Sequence, residues 1–108
     1  GAIVTVRARE VAPRMAADRH FDGQSNRFIK HVAARAGDRV CVQDHKLLVN
    51  GSPPLARRSL GARYPVWNGC RLLEADEVLL LGDTADSFDG RYWGPVRAGL
   101  IEGVWRKL

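Results

Sequence analysis

Two segments of this chain hold residue types that a plain scaffold does not require. In Phe28-Ile29-Lys30-His31-Val32 a lysine stands in the middle of an apolar run. Side chains alternate along a strand, so Phe28, Lys30 and Val32 share one face. Turned inward, that face strips the ammonium of water and lowers its pKa, and a neutral amine near pH 7 can act as a general base. Turned outward, Lys30 is an exposed strand lysine whose stem lies over its neighbours. The pattern leaves both open. The second segment, residues 82–94, gathers Asp83, Asp86, Ser87, Asp89 and Arg91 between Gly82, Gly90 and Gly94. Such a loop can aim a hydroxyl into a site while Asp–Arg pairs hold its shape. It can equally be a solvated Asp-rich turn. The regular Asp spacing and terminal Glu of an EF-hand are missing, which argues against a cation loop.

The elements that must carry these segments read as strands. Ala2 to Arg7 is a β-branched strand, Phe28 to Ala33 a second, and Arg39 to Val42 a third after the turn signal Ala36-Gly37-Asp38. Gln43-Asp44-His45 leads tightly into Lys46-Leu47-Leu48-Val49, and Asn50-Gly51 closes a turn because both residues tolerate positive φ. Glu77 to Leu81 is a short apolar strand, and Ile101 to Leu108 a final one. Residues 8–27 are expected to form a mobile loop, since Pro13 interrupts any helix from Ala8 to Arg19. Ser52 to Val66, with Pro53, Pro54 and Pro65, is expected to be irregular and exposed. Gly82 to Gly94 is expected to be a loop throughout. Short strands joined by Gly/Pro loops predict a mostly-β, barrel-like single domain with long irregular loops.

Composition narrows the function classes. The 108 residues, 45% hydrophobic and 27% charged, fit one ordinary globular domain. No run of about 18 apolar residues exists that could span a bilayer as a helix. The chain opens on Gly1 rather than Met, which suggests that a natural N-terminus has been removed. The net charge of +5 is scattered rather than gathered into an arm, so nucleic acid is not an expected partner. Cys41 and Cys70 form no CxxC, and His20, His31 and His45 do not fall at metal-ligand spacing with them, so no metal is expected. The two cysteines read either as a disulfide or as two buried thiols.

Taken together, Phe28-Ile29-Lys30-His31-Val32 … Gly37-Asp38-Arg39-Val40 and Gly82-Asp83 … Asp86-Ser87-Phe88-Asp89-Gly90-Arg91-Tyr92-Trp93-Gly94 resemble the two motif blocks of bacterial type I signal peptidases, in order and in separation. The Ser-Phe-Asp-Gly-Arg-Tyr version, with Trp67-Asn68-Gly69-Cys70 ahead of it, looks like the conjugative-transfer (TraF-like) branch. Gly1-Ala2-Ile3-Val4 resembles the strand that follows the family's nucleophile. The resemblance implies a mostly-β signal-peptidase/LexA-like β-barrel core and a serine endopeptidase with a Ser/Lys dyad that processes exported precursors, such as signal peptides or conjugative pilins. By position, Lys30 matches the general base and Ser87 the serine that orients it by a hydrogen bond. Asp89 and Arg91 match a structural pair near the site, and Asp83 and Asp86 lie in the same framework loop. No cofactor is implied. The implied location is the inner membrane, with this domain facing the periplasm, which favours a Cys41–Cys70 disulfide.

Several positions depart from the family pattern. His31 stands for the usual arginine, Ala36 for proline and Ala2 for aspartate, and the acidic loop is one residue shorter before Ser87. None removes a catalytic group. The family nucleophile is a serine followed by Met and Pro, and Ser25, Ser52, Ser59 and Ser87 all lack that context. The expectation is therefore a soluble catalytic domain whose membrane anchor and nucleophile lie before residue 1, inactive by itself. The repressor-cleavage (LexA-like) peptidases share the core, but the long Asp-rich loop and the two cysteines speak against them. The non-enzymatic alternative is a basic β-barrel binding module of a secretion or transfer system.

Overall fold

The computed structural model describes residues 2–58, 66–84 and 86–105. Gly1, Ser59, Ala85, the 59–65 part of the expected irregular stretch and the 106–108 end of the expected last strand lie outside the described residues. Nine strands form among the rest: β1 (Ile3–Arg7), β2 (Arg27–Ala34), β3 (Arg39–Gln43), β4 (Lys46–Val49), β5 (Leu55–Ala56), β6 (Gly69–Leu72), β7 (Glu77–Leu81), β8 (Val96–Arg97) and β9 (Ile101–Trp105). They build two antiparallel sheets, ordered β8-β7-β2-β1-β9 and β5-β4-β3-β6, in a fold that includes a curled half-barrel sheet. The architecture is mostly β, as the short strands and Gly/Pro loops predict.

β7 ties the two sheets together. All five residues from Glu77 to Leu81 are buried: Val78-Leu79-Leu80-Leu81 form an apolar run covered on both faces, and Glu77 is paired with Arg71. Val78 and Leu80 join Val4, Val6, Val11 and Met15 in one core. Leu79 and Leu81 turn the other way and pack with Ala34, Val40, Val42 and Leu47 in a second. Each fully buried leucine of this strand contributes about 1.5–3 kcal/mol by leaving water.

The β3–β4 hairpin follows its turn chemistry. Asp44 and His45 both take positive φ (51° and 59°), the two-residue geometry whose twist matches the strands. Asn50 and Gly51 do the same at φ 51° and 75°. Asn50 then holds the start of β3, accepting from Arg39 N at 2.8 Å and donating to Asp38 Oδ1 at 2.9 Å.

Three expectations need correction. Residues 8–27 are not one mobile loop, because α1 (Ala8–Val11) and α2 (Pro13–Asp18) occupy its first half. Pro13 separates the two helices and does not abolish them, since it stands at the first turn of α2, where the missing N–H costs nothing. Val11, Ala12, Met15 and Ala16 anchor both helices by burial. The expected irregular stretch after Ser52 contains β5, and its Arg57 is buried rather than exposed. Finally, the 82–94 loop ends in one helical turn, α3 (Gly90–Trp93), started by an Asp89 side chain that caps Arg91 N.

Candidate active site

The inward-facing alternative for Lys30 is the one realised. β2 pairs with β1 in the register Val4↔Lys30 and Val6↔Phe28, which sets Lys30 opposite a fully buried valine. Phe28 and Val32, on the same face, pack against the first core. Ile29, on the opposite face, is 70% exposed. The ammonium sits 5.3 Å from the centre of the Phe28 ring. Burial is the largest influence on Lys30 and pushes its pKa below the ordinary lysine value. Asp89 opposes that fall, Arg91 adds to it, and Asp83 opposes it.

Lys30 and Ser87 meet at Gly82. A Cβ built on Gly82 would lie 2.5 Å from Ser87 Cβ, overlap its hydroxyl, and stand 3.2 Å from Lys30 Nζ. Only a residue without a side chain lets the hydroxyl and the amine converge there. The direct hydrogen bond expected from Ser87 to Lys30 is not formed among the described residues. The Ser87 hydroxyl instead contacts Thr84, with Oγ1 at 3.0 Å and the backbone N donating at 3.4 Å. Ser87 therefore flanks the amine while its hydrogen bonding is taken up within its own loop.

Asp89 and Arg91 fix this loop from beneath. Asp89 is fully buried and Arg91 nearly so. Asp89 Oδ2 accepts from Gly82 N at 2.9 Å and from Arg91 Nη2 at 2.8 Å, while Oδ1 accepts from Arg91 N at 2.9 Å and Nε at 3.0 Å. Arg91 Nη2 also donates to Thr84 O at 2.9 Å. The hydrogen bond to Asp89 raises the pKa of Arg91. One buried ion pair thus clamps both ends of the segment that carries Gly82, Thr84 and Ser87. Gly90 lets α3 lie directly on β7, where a Cβ would come 2.7 Å from Leu80 O.

The other two aspartates play a different part. The Asp83 side chain is 94% exposed and its carboxylate stands 3.3 Å from His31 Nδ1, on the opposite face of β2 from Lys30. Asp86 is exposed and pairs with the equally exposed Arg58. Both belong to the outer surface of the loop and not to its buried clamp.

Local sequence patterns miss several neighbours. Phe28 stacks on Trp93 (centroids 5.5 Å apart) and meets Phe88 edge-on at 6.4 Å, so an aromatic cluster backs the amine. Met15, Ala16 and Phe21 join Phe28, Phe88 and Tyr92 around a groove of about 360 Å³ beside it. Arg57 was hidden by its Pro-rich surroundings. Its acceptors are Trp67 O, Arg91 O and the Asn68 side chain, far off in sequence. Cys41 and Cys70 stand directly opposite each other in the β3–β6 ladder and are joined as a disulfide.

Comparison with known proteins bears on the family and the fold. The family model for signal peptidase, peptidase S26, matches residues 1–107. One plasmid transfer protein TraF from Escherichia coli is 38% identical over 88 residues, covering 75% of this chain and 49% of the relative. A second is 36% identical over 93 residues, covering 80% and 52%. The chain therefore spans about half the length of the curated relatives it matches. A crystal structure of a signal peptidase I from Enterococcus faecalis V583 superposes with a TM-score of 0.53 at 23% identity, covering 97% of this chain and 93% of that one, and so shares its fold. With the motif residues in place and the family model matching nearly end to end, this chain belongs to the signal peptidase S26 family, on its TraF-like branch.

Proposed function

We propose that this domain is the lysine-bearing half of a Ser/Lys endopeptidase that processes exported precursor proteins, with Lys30 as general base. The observation that carries the reading is the position of Lys30: on the inward face of β2, against Phe28, converging with Ser87 on the one glycine that leaves them room. Ser87 contacts Thr84 and serves in this reading as a flanking group. The nucleophile is assigned to a serine of the full-length protein in the family's Ser-Met-Pro context, which Ser25, Ser52, Ser59 and Ser87 all lack. That the chain spans about half of its curated relatives leaves room for such a serine and for a membrane anchor on the same protein. The inner membrane, with this domain on the periplasmic side, is the setting in which a precursor's cleavage site and the Cys41–Cys70 disulfide both belong.

The chemistry follows from a neutral amine. Lys30 Nζ takes the proton of the serine hydroxyl as its oxygen attacks the peptide carbonyl. Collapse of the tetrahedral intermediate expels the leaving amine, which takes that proton back from Lys30 and leaves an acyl-enzyme. Lys30 then removes a proton from water, or from a second amine, to release the acyl group. The Asp89–Arg91 clamp keeps the loop closed against the amine and limits its rehydration.

The test is precursor processing by the full-length protein carrying Lys30→Ala, beside Ser87→Ala. Loss of the base is expected to slow processing by about 10²–10⁴-fold or more, and loss of Ser87 by less. Processing at the normal rate by Lys30→Ala would rule the reading out.

A further inference from the structure

The inner side of α3 fixes the candidate site, but its outer side is also held, by residues that the peptidase chemistry does not use. Arg57 is 6% exposed. Its Nη1 donates to Trp67 O at 2.7 Å and to Arg91 O at 3.1 Å, and its Nη2 to Asn68 Oδ1 at 2.9 Å. Trp67 Nε1 donates to Gly90 O at 2.9 Å, and the Trp67 ring lies 3.2 Å from where a Gly94 Cβ would stand. Arg58 N donates to the Tyr92 hydroxyl at 3.0 Å. Two short segments, 57–58 and 67–68, therefore hold α3 from outside at Gly90, Arg91 and Tyr92. Such carbonyls at a helix end need partners when buried, and these segments supply them.

What holds the two segments in place differs. Arg57 follows β5, which is paired with β4, and Arg57 N donates to His45 O at 2.7 Å. Trp67 and Asn68 lead directly into β6, an edge strand whose four residues are all exposed and which pairs with β3 alone. Past Cys70, β6 is held by Arg71 on Glu77 and by the buried Leu73, whose backbone bonds to Gly37 and Asp38, while Trp67 packs on the second core. The four exposed strand residues add little burial of their own. The covalent tie to the rest of the fold comes two residues after Asn68, where Cys70 is bonded to Cys41 in the middle of β3.

We infer that Arg57 is a positioning residue for the Lys30–Ser87 site, and that the Cys41–Cys70 disulfide, exposed at Cys70, keeps its acceptors in place, so that reducing this disulfide loosens the site. The consequence for catalysis rests on the peptidase reading above; the mechanical link does not. Reduction by a dithiol is balanced within the reagent. One thiolate attacks a sulfur of the pair, the second displaces the mixed disulfide, and two electrons and two protons leave Cys41 and Cys70 as thiols while the reagent closes to a cyclic disulfide. With β6 released, Trp67 and Asn68 part from Arg57, α3 lifts from β7, and the bonds from Asp89 to Gly82 N and Arg91 N open more often.

The experiment follows two readouts on the whole chain, with and without a dithiol, well below the unfolding temperature. Amide hydrogen exchange at Gly82 and Arg91 reports the loop clamp. NMR titration of the Lys30 side chain reports its hydration, against the facing Asp89 and Arg91 and the nearby Asp83. Reduction is expected to speed exchange at Gly82 and Arg91 by about tenfold or more, to leave the β1 amide of Val6 unchanged, and to raise the Lys30 midpoint. A Cys41→Ala/Cys70→Ala variant should show the reduced behaviour from the start and ignore the dithiol. Arg57→Met should speed exchange at Gly82 and Arg91 as reduction does, and unchanged exchange there would overturn the positioning role. Arg57→Lys, which keeps the charge but loses the fork, should give an intermediate effect and keeps the test open should Arg57→Met not fold. Equal acceleration at Val6 and Gly82, or no acceleration at Gly82, would overturn the inference by showing a disulfide that supports only global stability. A Lys30 that titrates at its ordinary value before and after reduction would instead sink the peptidase reading, and exchange at Gly82 and Arg91 would still decide the brace.

Discussion

Removing Asp89 should damage this domain far more than removing Asp89 and Arg91 together. In Asp89→Ala the guanidinium of Arg91, about as buried as its partner, is left without its counter-charge, and breaking a buried pair in this way costs about 3–5 kcal/mol. The same change strips the acceptor from Gly82 N and the cap from α3, adding about 1 kcal/mol for the half-buried N–H and about 1 kcal/mol for the cap. The sum approaches the whole stability of a small domain, about 5–15 kcal/mol. The melting temperature is therefore expected to fall by roughly 15 °C or more, or the chain to lose its cooperative transition. In Asp89→Ala/Arg91→Met no charge is stranded. The penalty should shrink to the cap and the Gly82 N–H, with a coupling energy of about 2 kcal/mol or more between the two positions. Urea and thermal unfolding of the four proteins measure this directly. Additive penalties, with the double variant at least as unstable as the sum of the singles, would show that the pair is not the clamp described here.

Other perturbations follow from the same geometry. Gly82→Ala puts a methyl where Ser87 and Lys30 meet, so it should cost about 1–3 kcal/mol in urea unfolding and raise the Lys30 midpoint by pushing the amine outward. Asp83→Asn and Asp86→Asn, on the exposed side of the loop, should each change stability by about 0.5 kcal/mol or less; a larger loss for either would mean the loop's outer face carries load that its exposure does not suggest. The lowered Lys30 pKa also has a sign. Between its folded and unfolded values the unfolded chain holds the extra proton, so stability rises with pH through that window, and below it the folded state bears the cost of a charged, half-buried amine. Lys30→Met should accordingly be more stable than the wild type at neutral pH, with the difference narrowing as pH climbs toward 10.5, the ordinary lysine value.

The parts of the fold that sequence discloses are those set by local periodicity. The alternation around Lys30 identifies the face it shares with Phe28 and Val32, and the continuous apolar run of β7 announces a strand buried on both sides. Asn50-Gly51 marks its turn through backbone freedom alone. Other features depend on partners distant in sequence. β6 is an edge strand of Gly, Cys, Arg and Leu with every side chain exposed, so no hydrophobic pattern betrays it. α1 and α2 are too short for a helical period, and they exist because Val11 and Met15 reach the core. Arg57 looks like any surface arginine until Trp67, Asn68 and Arg91 surround it. At the site itself, the family resemblance implies the meeting of Lys30 with Ser87, and the loop's residue types allow for an Asp–Arg pair such as Asp89–Arg91. They do not foretell that Thr84 takes the Ser87 hydroxyl, since that choice turns on the curl of a few loop residues.

The central claim is that Lys30 gives up its proton more readily than an ordinary lysine because β2 turns it inward against Phe28, beside Gly82 and Ser87. Selective labelling of lysine side chains and an NMR titration of Lys30 in the folded chain test that claim most directly. A midpoint clearly below 10.5 that returns toward the ordinary value in Gly82→Ala is the predicted result. A midpoint at or above 10.5, insensitive to Gly82, would contradict the account and leave Lys30 a structural residue.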